Sequence, residues 1–140
     1  MKVRIKFSKY GALRFIGHLD VMRYFQKAIR RAEIDIAYSE GFSPHQIMSF
    51  ASPLSVGHTS SGEYFDIEVN SFRGVEDMQK RLQEVMAEVI DILKIKLLPE
   101  NEKNAMASVA AADYLLTFSE CFTPPEGWQE QLLKFYAQET

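Results

Sequence analysis

The chain has 140 residues, about one domain's worth, of which 46% are hydrophobic, 25% charged and 12% aromatic, a composition that excludes a disordered tail or a fibre. A chain this long can bury a core without disulfides or metal, and its single Cys121 excludes an intrachain disulfide, a multi-cysteine zinc site and an iron–sulfur cluster held by one chain's thiolates. The net charge of −3 averages two unlike parts: residues 1–31 hold nine Lys/Arg and one acid, residues 32–140 seven Lys/Arg and eighteen acids, the pattern of a basic binding face on an acidic body.

Residues 2–8 alternate Lys2, Arg4 and Lys6 with Val3, Ile5 and Phe7, the period of a strand with one buried and one basic face. No apolar run reaches the ~18–20 residues that span a bilayer, and this charged N-terminus is unlike a signal peptide. The expected setting is soluble, reducing and cytoplasmic, with no membrane partner. From His18 to Ala32, apolar Val21, Met22, Phe25, Ala28, Ile29 and Ala32 recur at three- and four-residue steps and predict an amphipathic helix. Gly17 takes the N-cap position and Asp20 the first turn, while Arg23, Lys27, Arg30 and Arg31 make a basic outer face.

After a short apolar stretch from Ile34 to Tyr38, two loops rich in Ser, Gly and Pro (39–45 and 52–62) flank a short strand expected over Gln46 to Ala51. Tyr64, Asp66 and Glu68 alternate with Phe65, Ile67 and Val69 as a strand, residues 75–92 carry apolar groups at helical spacing, and Leu93 to Leu98 reads as a strand stopped by Pro99. The order β-α-β-β-α-β predicts an α+β, ferredoxin-like domain over 1–99, with helices on one face of an antiparallel sheet. A second, truncated β-α unit is expected over 105–140, with a strand from Ala107 to Phe118 and a helix from Trp128 to Tyr136 after Thr123-Pro124-Pro125.

His18, His45 and His58 all lie in the first 58 residues. His18 and Asp20, completed by His45 or Glu63, carry imidazole and carboxylate groups that suit zinc or manganese, but the usual local ligand spacing is missing and no metal is assigned. In the plainer reading His18 caps the helix and Asp20 pairs with Arg23 or Arg14. As an enzyme, the chain would use His18 and His45 for acid–base cleavage of RNA; no P-loop, dinucleotide motif or Ser-His-Asp elbow is present. The basic residues are interleaved with Tyr10, Phe15, Tyr24, Tyr38 and Phe42, the mixture that contacts phosphates and stacks unpaired bases. Phe15, Phe25 and Phe65 are assigned to the core, and the Met residues to gap-filling within it.

Four ordered segments, Leu13-Arg14-Phe15-Ile16-Gly17-His18-Leu19-Asp20, Tyr38-Ser39-Glu40-Gly41-Phe42-Ser43-Pro44-His45, Pro53-Leu54-Ser55-Val56-Gly57 and Ser61-Gly62-Glu63-Tyr64, together resemble the radical-SAM-linked protein family, domain of unknown function 2344. The resemblance is close over roughly residues 1–98 and departs at Gly17, Ser43 and Gln46, where Ser, Asn and Pro are common. It implies a non-catalytic module that presents a substrate to a radical-SAM protein, with RNA-processing neighbours and members longer than this chain. The expected function is therefore an accessory module binding RNA or an RNA-containing substrate, with no cofactor of its own. Arg14, Arg23, Lys27 and Arg30 would contact phosphate, and Tyr38 and Phe42 would stack. His18, Asp20, His45 and Glu63, with Ser39, Gly41 and Gly57 in the loops, would shape the site. A protein-interaction scaffold with a basic docking face is the third reading.

Overall fold

Side chains that alternate in kind along a strand separate onto two faces, and the first segment does so. In the computed structural model, which describes residues 1–52, 54–117 and 123–137, β1 (Lys2–Lys9) turns Val3, Ile5 and Phe7 into the core and Lys2, Arg4 and Lys6 to the opposite face. A 3-10 turn over Gly11–Phe15 leads to α1 (His18–Arg31), whose Gly17 N-cap is extended and whose Val21, Phe25, Ala28 and Ile29 are buried. Glu33 ends the helix in the left-handed region (φ 55°), where Ile34 N–H donates back to the Ile29 carbonyl at 3.2 Å.

β2 (Met48–Phe50), β3 (Ser60–Glu68), α2 (Val75–Val85) and β4 (Ile90–Leu98) complete the unit. The sheet is antiparallel throughout with strand order β2-β3-β1-β4, the ferredoxin-like arrangement. Its core is an aromatic cluster: the Phe25 ring lies 4.7 Å from both Phe7 and Phe65, and Phe50 stacks on Phe65 at 5.0 Å.

Several boundaries differ from the sequence expectation. The helix expected over 75–92 stops at Val85, because Met86 is extended and the Gln83 side chain accepts from Ile92 N–H at 2.8 Å, turning Val89 and Ile90 out of the helix. Those two residues satisfy helical and strand spacing alike, so β4 starts at Ile90 and not at Leu93. Leu93 is the extra residue of a bulge, since Lys6 pairs with Lys94 while Phe7 pairs with Ile92. β3 begins at Ser60, inside the segment expected to be loop. Phe25 and Phe65 are fully buried as expected, but Phe15 is 60% exposed, with the Arg14 guanidinium 4.5 Å from its ring.

No strand forms over 107–117. Asn104 instead caps a single helical turn, α3 (Ala105–Ser108), by accepting from Ala107 N–H at 2.8 Å. Residues 109–117 are in neither helix nor strand, and Leu115 and Leu116 are exposed, so no sheet holds this apolar run extended. Phe118, Cys121 and Pro53 lie outside the described residues. The chain divides into two compact units, Met1–Ala110 and Ala111–Thr140; the second contains the expected helix, α4 (Trp128–Tyr136), capped by Gly127.

Candidate functional site

At the end of β1 a charged group follows the apolar phase into the protein: Lys9 continues the inward series Val3, Ile5 and Phe7 and is only 1% exposed. Ser8, in the outward phase, is buried as well, beside the register shift between Phe7 and Lys9. Lys9 lines a pocket of about 10 Å³, room for one water-sized group, together with Phe7, His18, Phe50, Leu54 and Glu63. The Lys9 ammonium donates to the Ile16 carbonyl at 3.2 Å. Burial pushes its pKa below the ordinary lysine value, and the charge of Glu63 partly offsets this. Burial likewise raises the Glu63 carboxyl above the usual range, opposed by Lys9.

Two of the residues expected to shape the site, His18 and Glu63, therefore meet, and the lysine between them was not among the expected pocket residues. The sequence signal for it is its phase: Lys9 stands two residues after Phe7, on the inward side of the β1 alternation, where its charge disguises it. His18 makes no capping hydrogen bond; its ring packs edge-on against Phe50 at 5.2 Å. Asp20 is exposed, 3.8 Å from Arg23, as the plainer reading had it. Among the described residues no three His, Cys, Asp or Glu groups converge as a metal site requires, so His18, Asp20, His45 and Glu63 do not form one ligand set.

His45 belongs to a different structure, a hairpin over 38–46. Tyr38 and Gln46 form an isolated bridge, Ser39 N–H donates to the His45 carbonyl at 2.8 Å, and Ser39 Oγ lies 2.9 Å from His45 Nδ1. Gly41, at φ 116°, provides the turn conformation that side-chain-bearing residues avoid, and Gly57 does the same at φ 89° in the 52–59 loop, where its N–H donates to the Arg14 carbonyl. At the hairpin tip Phe42 is wholly exposed, and Tyr38 at its base is 49% exposed.

Buried Gln46 connects this hairpin to α1. Its Nε2 donates to the Gln26 carbonyl at 3.1 Å, while its Oε1, also buried, has no hydrogen-bond partner among the described residues. The helix face beside it presents Arg23, Lys27 and Arg30 to solvent. Lys27 and Arg30 have no carboxylate within ion-pair distance among the described residues.

The basic strand and the basic helix do not make one surface, contrary to the sequence reading. Period-2 alternation puts Lys2, Arg4 and Lys6 on the sheet face away from α1. There Arg4 makes a two-pronged pair with Asp66 (2.8 and 3.0 Å) and also donates to the Lys103 carbonyl at 2.9 Å, holding residues 103–108 over that part of the sheet.

Residues 2–140 match the family model described as "Uncharacterized protein conserved in bacteria (DUF2344)". The chain belongs to this family. The DUF2344 match runs past the four motifs and includes residues 105–140, where the sequence resemblance was weak. No curated protein matches the chain. Among the described residues of this DUF2344 protein no helix is long and apolar enough to cross a membrane.

Proposed function

We propose that this DUF2344 chain is a non-catalytic, cytoplasmic binding module that holds RNA, or an RNA-containing substrate, for a radical-SAM partner. The observation that supports it is the Gln46 tie: one part-buried hydrogen bond holds an exposed aromatic hairpin beside a helix face whose Lys27 and Arg30 have no carboxylate partner among the described residues. Phosphates need cations that are not already neutralised, which Lys27 and Arg30 supply among the described residues, with Arg23 one turn before Lys27 and Arg14 in the turn that precedes α1. Unpaired bases need an aromatic face free of the core, which Phe42 and Tyr38 supply. The exposure of Phe42 and Tyr38 next to the basic helix supports this reading.

The test is fluorescence anisotropy with labelled single-stranded RNA between about 50 and 200 mM salt, using the whole chain. Two lost phosphate contacts in Lys27→Glu/Arg30→Glu should lower the slope of log affinity against log salt by about 1.4. Phe42→Ala should weaken binding by about 1–3 kcal/mol. Absent or salt-independent binding refutes the reading. RNA turnover that disappears in His18→Ala turns it into the nuclease alternative.

A further inference from the structure

On the open face of the sheet, the pairing register opposes like charges. Lys6 stands directly across from Lys94, and Arg4 across from Lys96. Directly opposed like charges destabilise an antiparallel pair. Asp66 neutralises Arg4, but Lys6, Lys94 and Lys96 have no carboxylate within ion-pair distance among the described residues. The neighbour of Lys6 on its other side is Tyr64, which is 38% exposed, and the Lys6 ammonium lies 5.7 Å from the ring centroid. Gly62, two residues before Tyr64 and so on the same face, leaves the space the Lys6 stem occupies: a Cβ there would come within 3.1 Å of Lys6 Cε. None of these residues belongs to the α1 face or to the Lys9 pocket. Residues 103–108 reach the Arg4–Asp66 end of the sheet, while Tyr64, Lys94 and Lys96 are exposed and Lys6 is half-buried.

We infer that the Lys6, Tyr64, Lys94 and Lys96 strip is a second nucleic-acid contact, specific for single strands, in which the three ammonium groups take phosphates and Tyr64 stacks a base. The inference rests on the RNA-binding reading and extends it to the opposite face of the domain. Charge complementarity selects a polyanion for this face: three cations without a carboxylate partner among the described residues lie on the adjacent strands β1 and β4, to one side of the Tyr64 ring on β3. A flat strip can stack only a base whose face is free, so it discriminates against duplex. The phosphate contacts of Lys27 and Arg30 on α1 have no such requirement, whatever Phe42 and Tyr38 stack beside them.

The experiment compares a ~12-nucleotide oligouridine with a ~16-base-pair RNA duplex on the whole chain, using wild type, Lys94→Glu/Lys96→Glu, Tyr64→Leu and Lys27→Glu/Arg30→Glu. The sheet variants should weaken oligouridine binding about tenfold or more while leaving the duplex within about twofold, the α1 variant weakening both. Thermal unfolding controls for folding: the Lys94→Glu change sets a carboxylate opposite Lys6 and replaces repulsion by attraction, so Lys94→Glu/Lys96→Glu should melt no lower than wild type. Oligouridine affinity unchanged in both sheet variants overturns the inference while leaving the α1 reading intact. Equal losses for oligouridine and duplex overturn single-strand specificity. A wild type that binds neither probe removes both readings.

Discussion

Gln46→Met separates the two roles of Gln46. Methionine matches glutamine in length and removes both polar atoms at once. The substitution deletes the 3.1 Å hydrogen bond to the Gln26 carbonyl, a net loss of about 1 kcal/mol. That carbonyl lies inside α1 and keeps its helical bond, so nothing on the helix is orphaned. The substitution also removes Oε1, a buried acceptor without a partner among the described residues, whose desolvation costs about 1–3 kcal/mol. Relief exceeds loss, and the variant should be more stable by about 1 kcal/mol, raising the midpoint of a thermal melt by about 4–8 °C for a unit of this size. RNA affinity should fall in the same variant, because the hairpin carrying Phe42 loses its tie to α1. Circular dichroism melts and anisotropy titrations on one preparation measure both. A variant less stable than wild type by about 1 kcal/mol or more refutes the reasoning about Oε1, since that loss requires a satisfied amide. Unchanged affinity refutes the positioning role.

The Lys9 pocket gives a pH prediction. The folded pKa of Glu63 is raised, so the folded state holds more protons just above the ordinary carboxylate range, and this group's contribution to stability grows as pH falls from neutrality through its folded pKa. Urea midpoints between about pH 5 and 7 should therefore fall less steeply on acidification in wild type than in Glu63→Gln, and parallel profiles refute the assignment. For Lys9, whose folded pKa is lowered, the unfolded chain holds more protons between the folded value and the ordinary lysine value, so its contribution grows as pH rises through that window. At the covered end of the sheet, Asp66→Ala leaves Arg4, with a side chain 17% exposed, without its carboxylate. It should cost about 3 kcal/mol, at the low end for a broken buried pair, because Arg4 keeps the Lys103 carbonyl and Ser108 Oγ as acceptors. A loss below about 1 kcal/mol in urea unfolding contradicts that account.

The sequence carried the fold where one period was unambiguous and lost it where two periods overlapped. β1, α1 and β3 each follow a single repeat, and all three form where expected, with β3 starting a few residues earlier. Val89 and Ile90 fit both a helix and a strand, and tertiary contacts decided between them: the Gln83 side chain takes Ile92 N–H and closes the turn. Ala107 to Leu116 is apolar enough for a strand but has no alternating partner face: Ala107 and Ser108 end the single turn of α3, and residues 109–116 are in neither element. The functional residues divide along the same line. His18 and Glu63 could be named together because both stand in motif segments, whereas Lys9 joins them by continuing the inward phase of Val3, Ile5 and Phe7, a period-2 position that its charge disguises. The count of cations in residues 1–31 was correct as a number and misleading as a surface. Alternation on β1 sends Lys2, Arg4 and Lys6 away from α1 and only Lys9 inward, so one basic segment yields two basic faces with the core between them. Those faces differ in kind: α1 offers cations beside an exposed aromatic hairpin, and the sheet offers cations on the strands next to a part-exposed tyrosine. A single strand long enough to reach around the domain could engage both, whereas a rigid duplex could engage only one.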